Sequence, residues 1–315
     1  MLRHAVHRRR NIAGLAIMAI LLMATSGHAA VVDLNTTFDE PVSSGLGGRT
    51  LLVEEITATW CPTCAEIDPE LAQVADGHGS RIALLALHPT DGDDAFQPPA
   101  SQHRIDRLRL SNPGLEGSTP TFVVEGGEQR KGYDAWSEVQ GDILDTELAR
   151  QQTSTLEFEV VKTVTGYRAS IAQATLLETT GTQLTFLVMQ HQKSMPSGAL
   201  NPGGEHRDRV VVGLAECSVE HQTITTSIGL DANVTNGCDT DFSIEFADMN
   251  SWSVVLIHEP APETIDIGDR VQTHGAVELA FRDRSILSEE QSISATLLLL
   301  GCGALALASI VRKKQ

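Results

Sequence analysis

Apolar positions along the chain follow two different rhythms. From about residue 51 to 148, short continuous apolar runs alternate with stretches of helical spacing. Leu51-Leu52-Val53 opens a strand, residues 65–75 read as a helix, and residues 82–87 form a strand apolar enough to be buried on both faces. Residues 105–110 sit in a short helical stretch, and Thr121-Phe122-Val123-Val124 is a third strand, turned by Gly126-Gly127. Trp136, Val139, Ile143 and Leu144 then share one helical face. Strands alternating with helices predict an α/β layer over residues 46–151. Beyond Gln151 the helical spacing disappears. Runs rich in Thr, Val and Ile recur at 156–160, 167–172, 184–189, 209–214, 242–246 and 252–257. Short strands at that spacing predict an all-β, sandwich-like domain over residues 155–259. Residues 42–48 read as a flexible lead-in, 195–204 as a long inter-strand loop, and 260–292 as a partly ordered stalk.

The two ends change the picture. Arg8, Arg9 and Arg10 precede an apolar run and then Thr25, Ser26 and Gly27, the order of a secretory signal peptide spanning residues 1–29. Residues 293–311 carry no charge and are long enough, at about 1.5 Å per residue, for a transmembrane helix. Arg312, Lys313 and Lys314 follow, a cluster that marks the cytoplasmic side. The expectation is a single-pass protein of the cell membrane, with its body extracytoplasmic and its C-terminal tail in the cytoplasm.

Charge narrows the partners. The chain has a formal charge of −18, and all 41 acidic residues lie between Asp33 and Glu290 with 16 of the 23 basic ones. That exported stretch is therefore at −25. Such a surface repels nucleic acid and anionic lipid, so neither is expected as a partner.

Chemistry concentrates in the cysteines. In Trp60-Cys61-Pro62-Thr63-Cys64 the pair follows a strand and opens a helix, with Pro62 at the first helical position, where a missing N–H costs nothing. The free N–H groups and positive dipole end favour a thiolate on Cys61, and Cys64, one turn on, can resolve a mixed disulfide. A structural bridge is the blander use of the same pair. A zinc site would need Cys217 and Cys238, which lack a second tight spacing, so no metal and no cofactor are expected. Cys217 and Cys238 enclose 20 residues and, in an oxidising compartment, are expected to form a stabilising bridge. Cys302 lies in the expected span. Asp91, Asp93 and Asp94 read as a solvated acidic loop, and His88 ends a central strand on the edge that carries the dithiol.

The stretch from about Thr50 to Gln151 resembles a thioredoxin domain on four features in order. These are the Cys61/Cys64 motif with Glu55 six residues before it, Pro69 eight residues after Cys61, Ser118-Thr119-Pro120-Thr121, and Gly127 with Gly132. The resemblance implies that Glu55 is a buried acid beneath the dithiol, that Pro69 kinks the helix, and that Pro120 is a cis-proline facing the cysteines. It also implies that Trp60, Pro62, Thr63 and Thr119 contact substrate. Residues 88–117 are longer than thioredoxin's own segment, and with the β-rich second half they are similar to exported relatives of the Omp28-type surface proteins. The motif is similar too to membrane-anchored thioredoxins of cytochrome c maturation. The expected activity is extracytoplasmic thiol–disulfide exchange on protein thiols or disulfides, with a membrane redox partner as a further possibility. The alternative is a surface binding protein that uses the β-sandwich and keeps the thioredoxin domain as scaffold.

Overall fold

The computed structural model describes residues 30–78, 81–115, 118–268 and 270–283. Among the described residues seventeen strands and three α-helices follow in chain order. Strand β1 (Ala30–Val32) and β2 (Val42–Ser43) lead into β3 (Leu51–Ile56), helix α1 (Pro62–His78), β4 (Ile82–Leu87) and α2 (Pro99–Ser111). Then come β5 (Thr121–Val124), β6 (Arg130–Lys131) and α3 (Trp136–Ala149). The remainder is strand: β7 (Thr155–Lys162), β8 (Gly166–Thr175), β9 (Thr182–Gln190), β10 (Lys193–Ser194) and β11 (His206–Arg207). Last are β12 (Val210–Ser218), β13 (Thr223–Ile228), β14 (Asp231–Asn233), β15 (Ser243–Ala247), β16 (Trp252–Pro260) and β17 (Gly275–Phe281).

These strands do not form an α/β layer followed by a separate sandwich. One ten-stranded sheet runs β1-β17-β16-β9-β12-β4-β3-β5-β6, with β13 paired to β12. The join is a parallel contact between β4 and β12, Ala86 opposite Val210, with Ala86 N–H donating to the Arg209 carbonyl at 3.0 Å. Its physical cause is the composition of β4. Ile82–Leu87 is buried at every residue, so its outer edge and both faces must be covered, and the second half of the chain supplies that cover. The molecule is mostly β, and the expected fold class is corrected accordingly.

Three apolar layers result. Helices α1 and α3 cover one face of the β3–β4–β5 region through Ile67, Leu71, Val139 and Ile143, packed on Leu51, Val53, Leu84 and Phe122. On the other face α2 brings Ile105 and Leu108 against Leu52, Leu85 and Leu87, and also against Leu187, Val211 and Val255 of the second half. A second sheet, β14-β15-β8-β7-β2, closes over the opposite face of β9, β16 and β17. That core is aromatic, with Trp252 within 5.5 Å of the rings of Phe38, Tyr167, Phe246 and Phe281.

Two segments read as loose are built in. The lead-in forms β2, and Gly48 passes so close to β7's start that a Cβ there would lie 1.9 Å from the Ser154 carbonyl. The expected stalk contains β17, buried throughout and paired with β16 and β1. Among the described residues no helix is long and apolar enough to cross a membrane, so the expected single-pass placement is not supported. The expected signal peptide (1–29), the expected span (293–311) and Cys302 lie outside the described residues.

Candidate functional site

The dithiol sits where β3 ends and α1 begins. The Cys61 N–H bonds the Ala58 carbonyl at 3.1 Å, and the Cys61 carbonyl accepts the first helical bond, from Ala65 N–H at 3.1 Å. Cys61 is thus the residue before the first turn, and its Sγ accepts the Cys64 N–H at 3.1 Å. That is the arrangement in which free N–H groups and the helix dipole stabilise negative charge on sulfur. Cys61 and Cys64 are joined as a disulfide, with Cα atoms 5.3 Å apart. Cys64 is fully buried and Cys61 is 3% exposed.

The residues expected around the pair gather there. The Thr119–Pro120 peptide bond is cis, and the Thr119 carbonyl oxygen lies 3.6 Å from Cys61 Sγ. Pro62 is exposed, Trp60, Thr63 and Thr119 are partly exposed, and Pro120 is buried. The Trp60 indole N–H donates to Asp91 at 3.1 Å, which ties the motif to the acidic loop. Pro69 lies within α1. Gly127 N–H bonds the Val124 carbonyl and Gly132 N–H the Pro120 carbonyl, both at 2.9 Å, so both glycines shape the turn after β5.

Behind the disulfide the site is unusually rich in buried polar groups. Glu55 is buried, and its carboxyl is held well above the usual range, first by burial and then by the nearby Asp68 charge. Asp68 is itself pushed up to about 6 by burial, against opposing pulls from Glu55, His88, Arg207 and Thr57. His88 Nδ1 pairs with Asp94 at 2.8 Å. Burial alone would raise the Asp94 carboxyl, but His88 and the N–H groups of Thr59 and Gln97 bring it down to about 2. Asp94 is therefore a buried anion that organises its loop, not part of an open cation site. Among the described residues no group of three or more metal-ligating side chains occurs.

Sequence reasoning missed what the second half contributes. The Arg207 guanidinium donates to the Thr59 carbonyl at 3.3 Å and to Asn201 Oδ1 at 2.7 Å. Gly203 packs on Ala65, the residue one turn after Cys61 on the same helix face, and a Cβ at Gly203 would lie 2.9 Å from Ala65 Cβ. The Lys193 ammonium lies 5.1 Å from the Phe96 ring centre, and Phe96 meets His88 edge-on. The β10–β11 hairpin is thus one wall of the dithiol site. No local motif announces this, since the hairpin is some 140 residues from the cysteines. Asp68 did carry a signal, because four residues after Cys64 puts it on the same face of α1.

The expected second bridge is present. Cys217 and Cys238 are disulfide-bonded and fully buried, far from the dithiol in sequence and on a different core.

No protein-family model matches the chain, and no curated protein matches it. Among solved structures it is similar to HBP35 of Porphyromonas gingivalis, at 14% identity and a TM-score of 0.52, over 75% of this chain and 76% of that one. A structural-genomics protein from Agrobacterium tumefaciens is similar at 10% identity and a TM-score of 0.46, over 76% of this chain and 96% of that one. The first likeness is one of fold alone.

Proposed function

We propose that the chain is a thiol–disulfide oxidoreductase acting on protein disulfides in an oxidising compartment, through a site of thioredoxin type. The observation that carries this is the Cys61–Cys64 disulfide at the start of α1, set 3.6 Å from the carbonyl before cis-Pro120 and backed by the buried acid Glu55. The buried Cys217–Cys238 bridge supports the compartment, since such bridges persist where thiols are oxidised.

In the reducing direction the Cys61 thiolate attacks one sulfur of a client disulfide, and the other client sulfur leaves as a thiolate that takes a proton. Cys64 loses its proton to the carboxyl side of the site and attacks Cys61 Sγ. The second client sulfur is expelled and protonated, leaving the client reduced and Cys61–Cys64 oxidised. The reverse sequence oxidises a client dithiol. Because Cys61 is only 3% exposed, the client must present its sulfur on a slender, extended segment that can reach beside Thr119.

The test is capture. Cys64→Ser leaves an attacking thiol with no resolving partner, so covalent adducts with client proteins should accumulate and be released by reductant. Cys61→Ser should give none. If Cys64→Ser captures nothing, and neither single variant differs from wild type in a protein-disulfide reduction assay, the proposal fails. A binding protein that uses the β-rich half would then be the better reading.

A further inference from the structure

Four side chains from the end of β3, from α1 and from the end of β4 gather around Asp68, one turn of α1 beyond Cys64. Glu55, Thr57, Asp68 and His88 each hold one buried polar atom with no well-formed hydrogen bond, Oε1, Oγ1, Oδ1 and Nε2 respectively, while the Asp68 carboxyl lies against the side chains of Glu55 and Thr57. A buried polar group is normally satisfied, so such a concentration at a chemical centre asks for a role in which partners change. Their surroundings differ. Glu55 is sealed from solvent, whereas Asp68 is half-buried, with its Oδ1 inside and part of the residue at the surface. Asp68 also lies one helical turn beyond Cys64 on the same face of α1.

Glu55 is usually the residue one would make the base for Cys64, yet its environment argues against that role alone. Burial beside a second carboxyl makes Glu55 hold its proton more tightly than usual, and a carboxyl that carries a proton can take another only by passing its own on. Asp68 is the member of the pair that ionises first. The titratable and charged groups facing it are Glu55 from β3, His88 just after β4, whose other nitrogen is held by Asp94, and Arg207 from β11.

We propose that Asp68 is the outlet of a two-carboxyl proton relay, receiving through Glu55 the proton that Cys64 gives up and passing it to solvent. This rests on the redox reading of the dithiol above. In the step, the Cys64 thiol proton moves to the free oxygen of Glu55 as the proton already on Glu55 moves to Asp68. The Cys64 thiolate then attacks Cys61 Sγ, and one proton appears in solution by way of Asp68. Asp68 touches neither sulfur of the mixed disulfide, so it is a positioning residue that acts through Glu55. Arg207 gives the β-rich half a hand in this chemistry, because its charge favours the ionised form of Asp68.

The experiment uses the full chain, reduced and then mixed rapidly with the aromatic disulfide 5,5′-dithiobis(2-nitrobenzoate). Attack by Cys61 releases one thionitrobenzoate, and resolution by Cys64 releases the second. Asp68→Asn is expected to slow the second release by at least about ten-fold at neutral pH while leaving the first within about two-fold. It should also remove from the second phase the inflection that the wild type shows near pH 6. Asp68→Glu should restore both. Arg207→Gln leaves the pair intact and should move the inflection to higher pH, which provides a readout should Asp68→Asn fail to fold. An unchanged second phase in Asp68→Asn, equal slowing of both phases, or an inflection unmoved by Arg207→Gln would overturn the proposal. Small-probe kinetics separate this from the client reading. A relay confirmed alongside failed client capture would leave Asp68 standing and the protein substrate wrong, and a wild type releasing no thionitrobenzoate would sink both.

Discussion

Adjacent residues on β3 show how far a single side chain can be read from sequence. Successive strand residues point to opposite faces, so Glu54 and Glu55 enter different layers. Glu55 goes toward α1 and meets Asp68, and it is buried, as the resemblance implies. Glu54 goes toward α2 and accepts from Arg104 at 2.6 Å, while Arg104 also grips Glu259 through both carboxylate oxygens at 2.9 and 2.8 Å. Nothing in the sequence pointed to that second cluster, because its members are 50 and 155 positions apart and each is an ordinary charged residue in isolation. Burial would raise the Glu259 carboxyl, but Arg104 and Arg107 hold it down at about 2. Breaking such a cluster from one side strands charge in a dry layer. Arg104→Met should therefore cost about 3 to 5 kcal/mol in urea unfolding, since buried Glu54 loses its cation and Glu259 keeps only Arg107. A loss under about 1 kcal/mol would mean that water reaches the cluster and that α2 is not sealed against the sheet.

At the scale of elements, period and capping were legible and partners were not. The strands at 82–87 and 121–124 stand where their apolar runs end, and α1 begins at Pro62, as its N–H-free first position implies. Helix α2 is longer than its apolar signal, spanning Pro99–Ser111, because its buried face includes Ser101, Arg104 and Arg107 beside Ile105 and Leu108. Hydrophobic spacing cannot register a helix that faces the core with arginines. Strand β17 escaped for another reason. Its seven residues are all buried, yet they follow a Pro- and acid-rich stretch that reads as linker. The Cys217–Cys238 bridge ties the end of β12 to the turn region before β15, closing a loop of 21 residues in sequence separation. Loop closure of that size stabilises by roughly 3 kcal/mol. Replacing both cysteines by Ala should lower the melting temperature by about 5 to 10 °C for a chain this large. The reduction equilibrium of Cys61/Cys64 with dithiothreitol should stay where it is, because the bridge belongs to the aromatic core. A shift in that equilibrium would show the two disulfides to be coupled.

For the whole molecule the deciding contact is between β4 and β12, which turns two textures of sequence into one sheet. The sequence divides near residue 151 because its hydrophobic rhythm changes there, and rhythm reports the local element rather than what that element packs on. Helix α2 shows the difference. Its Ser101 hydroxyl donates to the Val211 carbonyl at 2.8 Å, its Arg104 reaches Glu259, and Arg107 donates to the Pro260 carbonyl at 2.6 Å. Leu85, Leu87, Ile105 and Leu108 share one core with Leu187, Met189, Val211, Leu214, Val255 and Ile257. Removing the second half would expose that apolar face together with the open edge of β4, so the first half should not unfold independently of the second. Native-state hydrogen exchange tests this directly. Slowly exchanging amides in β3 and β4 and those in β9 and β16 should share one opening free energy and fall together as denaturant is raised. Local frays at β6 and β14 should open earlier in both. If β3 and β4 instead lose protection at a distinctly lower denaturant concentration than β9 and β16, the halves open as separate units. The parallel join would then be a contact between two bodies, and Arg207 would be free to leave the dithiol site while the dithiol half stays folded.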